Sequence, residues 1–301
     1  MNQNVIRVEN LVKYFDGRCV LDGINLNVPQ GCIYGLLGRN GAGKTTIIRI
    51  LLGLEPPTRG RTFLLDSESS ELSAKLHSRI GYVAEGHNLI QNYKVGRLIK
   101  LCKGLSMNWN DKFFGQLIEK FRLPTDRRVK ELSIGMRAQL NLALALAIDP
   151  ELLIFDDPTL GLDTIARRQF LELAIDLIQR QGRTILFSSH ILSDVERIAD
   201  RIGIIAAGKL VVDCPLEELK ERVKKLRVIF PEAAPSNLYL KEIVNRQIDG
   251  REMVITVANW NRHKQIVLNT FKPSSCTEIP MSLEDIFIEC TKPNPELIES
   301  R

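Results

Sequence analysis

Residues 38–45 read Gly-Arg-Asn-Gly-Ala-Gly-Lys-Thr, the pattern GxxxxGK[ST], and no other stretch restricts the fold as strongly. The continuous apolar run Cys32–Leu37 before it predicts a buried strand. After it, Ile47, Ile48, Ile50, Leu51 and Leu54 recur at helical spacing through Lys44–Leu54. Strand, glycine loop and helix in that order form a phosphate cradle. Glycines let consecutive N–H groups turn inward, and the helix start adds its dipole. The ligand implied is a nucleoside triphosphate held by Gly38, Asn40, Gly41, Ala42, Gly43, Lys44, Thr45 and Thr46. Lys44 is placed to reach the β and γ phosphates and Thr45 to ligate Mg²⁺. Chance alone yields this pattern in about one random chain of this length in a hundred, and the flanking elements lower that further.

A second feature gains weight beside the first. The run Leu152–Phe155 ends in Asp156-Asp157-Pro158, which puts two carboxylates at the carboxyl edge of a buried strand, where ligands of open α/β sheets sit. Asp156 is expected to hold Mg²⁺ through water, and Asp157 to lie nearest the attacking water. An acidic turn after a strand is common, so the pairing with the glycine loop carries the inference.

The 301 residues, with 44% hydrophobic and 26% charged, suit one large domain plus a small one and exclude a mainly disordered chain. A net charge of +5 is too mild to argue for nucleic acid or an anionic membrane surface, and no nucleic-acid partner is expected. The six cysteines lack CxxC or CxxxxH spacing, and the four histidines add no metal constellation. The opening Met1-Asn2-Gln3-Asn4 does not look like a signal peptide, so reduced thiols in a cytosol are expected. The most apolar stretch, Leu140–Ile148, is nine residues long, against roughly 20 needed to span a bilayer.

Along the chain, Val5–Asn10 and Gly23–Val28 alternate like strands. From Val95 to Ala147 the pattern is mostly helical, broken at Leu123-Pro124-Thr125, and about 86–150 is read as an inserted helical subdomain. Leu152–Phe155, Thr184–Ser188 and Ile202–Ala206 alternate with helices, the rhythm of parallel strands with crossovers, and Leu210–Val212 closes a hairpin. After Pro215 come a charged helix Leu216–Lys225, strands Leu226–Phe230, Lys241–Ile248 and Glu252–Ala258, and helices over Arg262–Phe271 and Ser282–Cys290. The fold class expected is α/β: a mixed sheet core with a helical subdomain over 1–215, and a small accessory α+β domain over 216–301.

Five motifs in order then resemble the ATP-binding subunit of an ATP-binding cassette (ABC) transporter, over nearly all of residues 5–215. After the glycine loop, Ile80-Gly81-Tyr82-Val83-Ala84-Glu85 resembles the Q-loop and Leu132-Ser133-Ile134-Gly135-Met136 the signature LSGGQ. Past the acidic strand end, Gly161-Leu162-Asp163 resembles the D-loop and Ser188-Ser189-His190 the switch histidine. Phe15, with Tyr14 as the alternative, falls where the family stacks adenine. The chain looks most like cassettes of bacterial exporters with separate permease chains, several of which end in a pattern like Ser282-Leu283-Glu284-Asp285-Ile286-Phe287.

The resemblance implies a P-loop NTPase fold and two cassettes, homo- or heterodimeric, arranged head to tail. ATP would lie between the glycine loop of one and Ser133, Gly135 and Asp163 of the other. Ser133 before a helix is an N-cap type, and Gly135 leaves first-turn amides open to phosphate; a plain capped helix start is the alternative. Catalytic roles fall to Lys44, Asp157 and His190, and metal ligation to Thr45, Glu85 and Asp156. The cassette would sit on the cytoplasmic side of the cell membrane through an integral-membrane permease.

Four positions depart from the family pattern. Asp157 stands where a glutamate is usual, one methylene short, which predicts slow but real hydrolysis. Glu85 replaces glutamine, and Ile134 and Met136 replace glycine and glutamine. A regulatory cassette that binds ATP with little hydrolysis, and a non-transport ABC protein, are the competing readings. Against the latter, the chain has one cassette and no heptads. Lys94, Arg97, Lys100 and Lys103 line one helical face, which reads first as solvated, and Trp109 reads as a local packing element.

Overall fold

The computed structural model describes residues 4–236, 238 and 242–291. The expectation for the Met1 start lies outside them, and the strand expected from Lys241 begins outside them.

Two long strands, β1 (Asn4–Phe15) and β2 (Arg18–Pro29), form an antiparallel hairpin and lead into β3 (Ile33–Gly38), the glycine loop and α1 (Lys44–Leu51). Then come β4 (Arg59–Leu64), β5 (Ser67–Glu68), α2 (Ala74–His77) and β6 (Ile80–Val83). Three helices follow: α3 (Val95–Leu105), α4 (Asp111–Lys120) and α5 (Ile134–Ala147). β7 (Leu152–Asp156), α6 (Thr164–Gln181), β8 (Thr184–Ser189), α7 (Leu192–Ile198), β9 (Arg201–Ala206) and β10 (Lys209–Pro215) complete the central sheet. Its strand order is β10-β9-β3-β8-β7-β6, parallel except for the β9–β10 hairpin, while β2-β1-β4-β5 form a second, antiparallel sheet.

The central strands read as unbroken apolar runs because both faces are covered. Ile33, Leu37, Leu153, Phe155, Ile185 and Phe187 point into a core shared with the helices. Their neighbours Tyr34, Leu36, Leu152, Ile154 and Leu186 point into a second core, shared with α1 and the antiparallel sheet. Ile47 and Ile48 of α1 are fully buried there, each worth about 1.5–3 kcal/mol of apolar burial, so the helix behind the glycine loop is pinned under the sheet.

The remainder comprises α8 (Leu216–Arg222), β11 (Lys224–Ile229), β12 (Ile243–Asp249), β13 (Glu252–Val257), α9 (Arg262–Thr270), β14 (Ser275–Ile279) and α10 (Leu283–Cys290). Its antiparallel sheet, ordered β12-β13-β11-β14, has its own apolar cluster with Leu268 of α9. By contrast, Leu216, Leu219, Leu283, Ile286 and Phe287 belong to the first core. α8 and α10 therefore pack on the central sheet's helices.

Candidate active site

Three adjacent parallel strands end side by side, and each delivers part of the site. β3 stops at Gly38 and opens the glycine loop. β7 stops at Asp156, in register with Ser188 of β8, and β8 ends at Ser189, one residue before His190. In such a sheet every strand presents its carboxyl end to the same crevice. Residues 156–157 and 190, far apart in sequence, therefore meet the glycine loop without long side chains having to reach.

The loop conformation depends on glycine where the backbone turns. Gly43 has φ +106°, and a Cβ there would come within 2.5 Å of Leu21 Cδ2, so any side chain is excluded twice over. Lys44, buried at the start of α1, donates from Nζ to the Gly38 carbonyl at 2.9 Å and lies 3.9 Å from Asp157 Oδ2. An ammonium has three donors, and a buried one needs them filled, so this arrangement suits an anion in the loop.

Asp156 is fully buried. Its Oδ1 accepts from Ser188 Oγ at 2.7 Å and Thr45 Oγ1 at 3.2 Å, while Oδ2 is buried with no hydrogen-bond partner. Burial pushes the Asp156 carboxyl above its ordinary range, against the pull of those two bonds. A carboxylate oxygen left bare beside a threonine hydroxyl is the donor set a hard divalent cation takes, so these residues fit Mg²⁺. Among the described residues no group of three or more His, Cys, Asp or Glu could hold a metal by itself, so the ligand shell would need oxygens from water and phosphate.

Asp157 sits at φ +43°, a region aspartate tolerates better than most residues. Its amide donates to Ser188 Oγ at 3.1 Å. Its Oδ1 accepts the His190 backbone N–H at 3.0 Å and lies 2.7 Å from His190 Nδ1.

An open cleft of about 1070 Å³ collects Phe15, Asn40 to Thr46, Glu85 and Asp157. Phe15 is 42% exposed, with Lys13 Nζ 4.7 Å above one ring face. Tyr14 does not line this cleft. A smaller cleft of about 340 Å³ holds Gly38, Asn40 and His190. Arg39 lines both, and Arg18 and Thr291 line the larger one, three residues sequence reasoning did not single out. Arg18 had a signal, lying three residues past the aromatic; Thr291 had none.

Ser133, Gly135 and Asp163 line neither cleft. Ser133 Oγ caps α5 by accepting from the Met136 amide at 3.1 Å. Asp163 Oδ1 caps α6, accepting from the Ile165 and Ala166 amides at 2.9 and 2.8 Å. Beside them Ile134 and Ile165 are exposed, at 48% and 71%. Two capped helix starts and two bare isoleucines thus form a surface away from the chain's own glycine loop. Of the basic stripe, Lys103 pairs with Asp111 at 2.6 Å and Arg97 stacks on Tyr93 at 4.3 Å, both at the surface. Trp109 packs on Phe114 with ring centroids 4.9 Å apart.

Residues 21–160 match the ABC transporter family. The chain is 30% identical to the ABC transporter ATP-binding protein YtrB of Bacillus subtilis (strain 168), over 94% of this chain and 97% of that protein. It is 37% identical to the bacitracin transport ATP-binding protein BcrA of Bacillus licheniformis, over 73% of each chain. A solved structure of an ATP-binding subunit of an ABC transporter superposes with a TM-score of 0.65 at 25% identity, over 72% of this chain and 92% of that one.

Proposed function

The chain belongs to the ABC transporter ATP-binding proteins, and from that membership we propose that it hydrolyses ATP between two cassettes and so powers a separate membrane permease. The observation that carries the catalytic part is the convergence of Lys44, Asp156, Asp157 and His190 at the carboxyl ends of β3, β7 and β8. Adenine stacks on the open face of Phe15, and the loop amides with Lys44 take the phosphates. Thr45 and Asp156, with Glu85 at the cleft wall, hold Mg²⁺ in this reading. When bound, the ion would neutralise charge on the phosphates. Asp157 orients the attacking water and receives its proton as the bond from the γ-phosphorus to the bridging oxygen breaks. His190 offers its remaining ring nitrogen to the γ-phosphate.

The second cassette supplies the other half of the site. Ser133, Gly135 and Asp163 lie away from their own chain's clefts, flanked by exposed Ile134 and Ile165, which supports a face built for a partner. The capped start of α5 directs first-turn amides outward, a ready site for phosphate. Residues 1–215 form the cassette in this reading, with about 86–150 its helical subdomain, and 216–301 an accessory unit. In this reading the chain is a peripheral subunit on the cytoplasmic side, held there by the permease; among the described residues no helix is long and apolar enough to cross a membrane. Likeness to a relative named the Nod factor export ATP-binding protein I, of Neorhizobium galegae, 32% identical over 95% of this chain and 84% of that protein, supports export as the direction.

One observation favours a second reading, an ATP-binding partner with little turnover: the Asp157 carboxylate, already one methylene short, bonds the His190 backbone as well as its ring. Steady-state hydrolysis by the purified chain separates the two. Binding is tested with Asp157→Asn and Mg²⁺, where ATP should be retained and a dimer should appear by light scattering. A chain that retains no ATP under those conditions overturns the nucleotide assignment. Purification from membranes with an integral-membrane companion tests the transport role.

A further inference from the structure

The motif Ser282 to Phe287 supplies none of the phosphate-, metal- or water-binding groups, yet its last residue lines the smaller cleft. Ser282 caps α10 by accepting from the Asp285 amide at 3.1 Å, and Asp285 accepts from the Ser282 amide at 3.0 Å. The cap fixes which face of a short helix turns inward. Leu283, Ile286, Phe287 and Cys290, spaced i, i+3, i+4 and i+7, are all buried. They join the core that also holds Val195 and Ile198 of α7. Glu196 of α7 ties the elements together, accepting from the Leu283 amide at 3.3 Å and pairing with Lys220 of α8 at 3.2 Å.

α7 begins two residues after His190, so α10 packs close to the switch histidine. Phe287 reaches further than the rest of the face: it lines the smaller cleft together with Asn40 and His190. One turn on, Thr291 lines the larger cleft. On its outer side α10 accepts Asn245 Nδ2 of β12 on Glu289 Oε1 at 3.2 Å. A continuous path therefore runs from the C-terminal sheet through α10 to His190.

We propose that Phe287 is a positioning residue for His190, walling the smaller cleft that His190 also lines, so that the C-terminal unit sets the rate of turnover. The inference rests on the nucleotide reading of the two clefts. The ring supplies a rigid apolar surface that keeps the imidazole from collapsing into the space beside Asn40. A misplacement of about an ångström at such a group lowers rate far more than binding.

The test uses the full chain. Wild-type ATP binding and turnover come first, because their absence removes the nucleotide reading rather than this one. Phe287→Ala is then expected to lower kcat about tenfold while KM for ATP stays within twofold. Phe287→Leu, which keeps the core sealed, should recover to within threefold of wild type. Leu283→Ala deletes a more buried contact of the same helix that lines neither cleft; its thermal midpoint should fall while kcat stays within twofold. Unchanged kcat in both Phe287 variants overturns the proposal. So does an equal kcat loss in Leu283→Ala, which would make α10 mere packing, or a KM rise matching the kcat loss.

Discussion

His190 Nδ1 lies 2.7 Å from Asp157 Oδ1, and the His190 backbone N–H donates to the same oxygen at 3.0 Å. An ionised carboxylate only accepts, so Nδ1 carries the proton in this pair. That fixes the ring: Nε2 is the atom left for a phosphate, and it donates only from the imidazolium form. Removing the ring should therefore remove the transition-state donor that the imidazolium form supplies and leave the phosphate loop intact. His190→Ala is expected to lower kcat by at least a hundredfold, in the range seen when one such donor is lost. ATP affinity, read by equilibrium dialysis, should change by less than threefold. Loss of binding with the rate would instead make His190 a packing residue.

The same pair explains why Asp157 matters in a chain that departs from its family. Aspartate suits φ +43°, and its short arm keeps Oδ1 on the His190 amide rather than out in the cleft. A glutamate can hold water further forward. Asp157→Glu should hydrolyse ATP as fast as the native chain or faster in steady-state assays. A tenfold loss would show that the methylene is not the handicap.

Much of this site was legible because its parts lie where sequence signals are strongest. Cys32–Leu37, Leu152–Phe155 and Thr184–Ser188 are apolar without a break because both faces of those strands are buried, and the observed β3, β7 and β8 match them within a residue or two. Three other strands, β4, β6 and β14, gave no such signal. β6 is four residues with Gly81 in its middle, where a Cβ would meet the Ala145 carbonyl at 2.8 Å, so the position reflects packing rather than strand propensity. β14 is a polar, mostly exposed edge, and β4 begins with three exposed residues. The helix expected over Leu216–Lys225 ends at Arg222, because Lys224 and Lys225 pair with Val257 and Thr256 in the C-terminal sheet. The helical stretch from Val95 resolves into three helices; their breaks fall at Ser106–Asn110 and Phe121–Ser133, the second spanning the expected Leu123-Pro124-Thr125. No local pattern could bring Phe287 or Thr291 to the clefts, since that proximity is set by α10 packing on α7.

Phe15 has one face taken, with Lys13 Nζ 4.7 Å from the ring centroid, and the ammonium is itself held by Glu55 at 2.6 Å. Phe15 lines the cleft, and a purine stacking there would take the face opposite the ammonium. Stacking of a base on an aromatic ring is worth about 1–3 kcal/mol. Phe15→Ala should then raise KM for ATP roughly tenfold with kcat within twofold, and Phe15→Tyr should restore it. A KM unchanged in Phe15→Ala would assign the adenine elsewhere.

Asp156 yields a prediction about stability as well as chemistry. Its carboxyl is raised in the folded chain, chiefly by burial, with the neighbouring Asp157 charge adding and the Ser188 and Thr45 bonds opposing. The folded state therefore binds a proton here more tightly than the unfolded state, whose aspartate titrates at about 3.9. Between that value and the raised one, folding takes up protons, so this group's contribution to stability falls as pH rises and stays low once Asp156 is ionised. At neutral pH the nucleotide-free chain thus carries a buried, half-satisfied negative charge that a cation would relieve. Asp156→Asn removes the charge with little change of shape and should stabilise the apo chain by about 1 kcal/mol, a rise in Tm of about 2–4 °C for the cassette. That gain should shrink as pH falls from neutral and the native carboxyl, raised by burial, takes up its proton. The variant should also lose the extra stabilisation that Mg²⁺ adds to ATP, measured by calorimetry with and without the metal. An apo Tm that falls at neutral pH, with the Mg²⁺ increment intact, would mean that Asp156 serves the fold through Ser188 and Thr45 and not the metal.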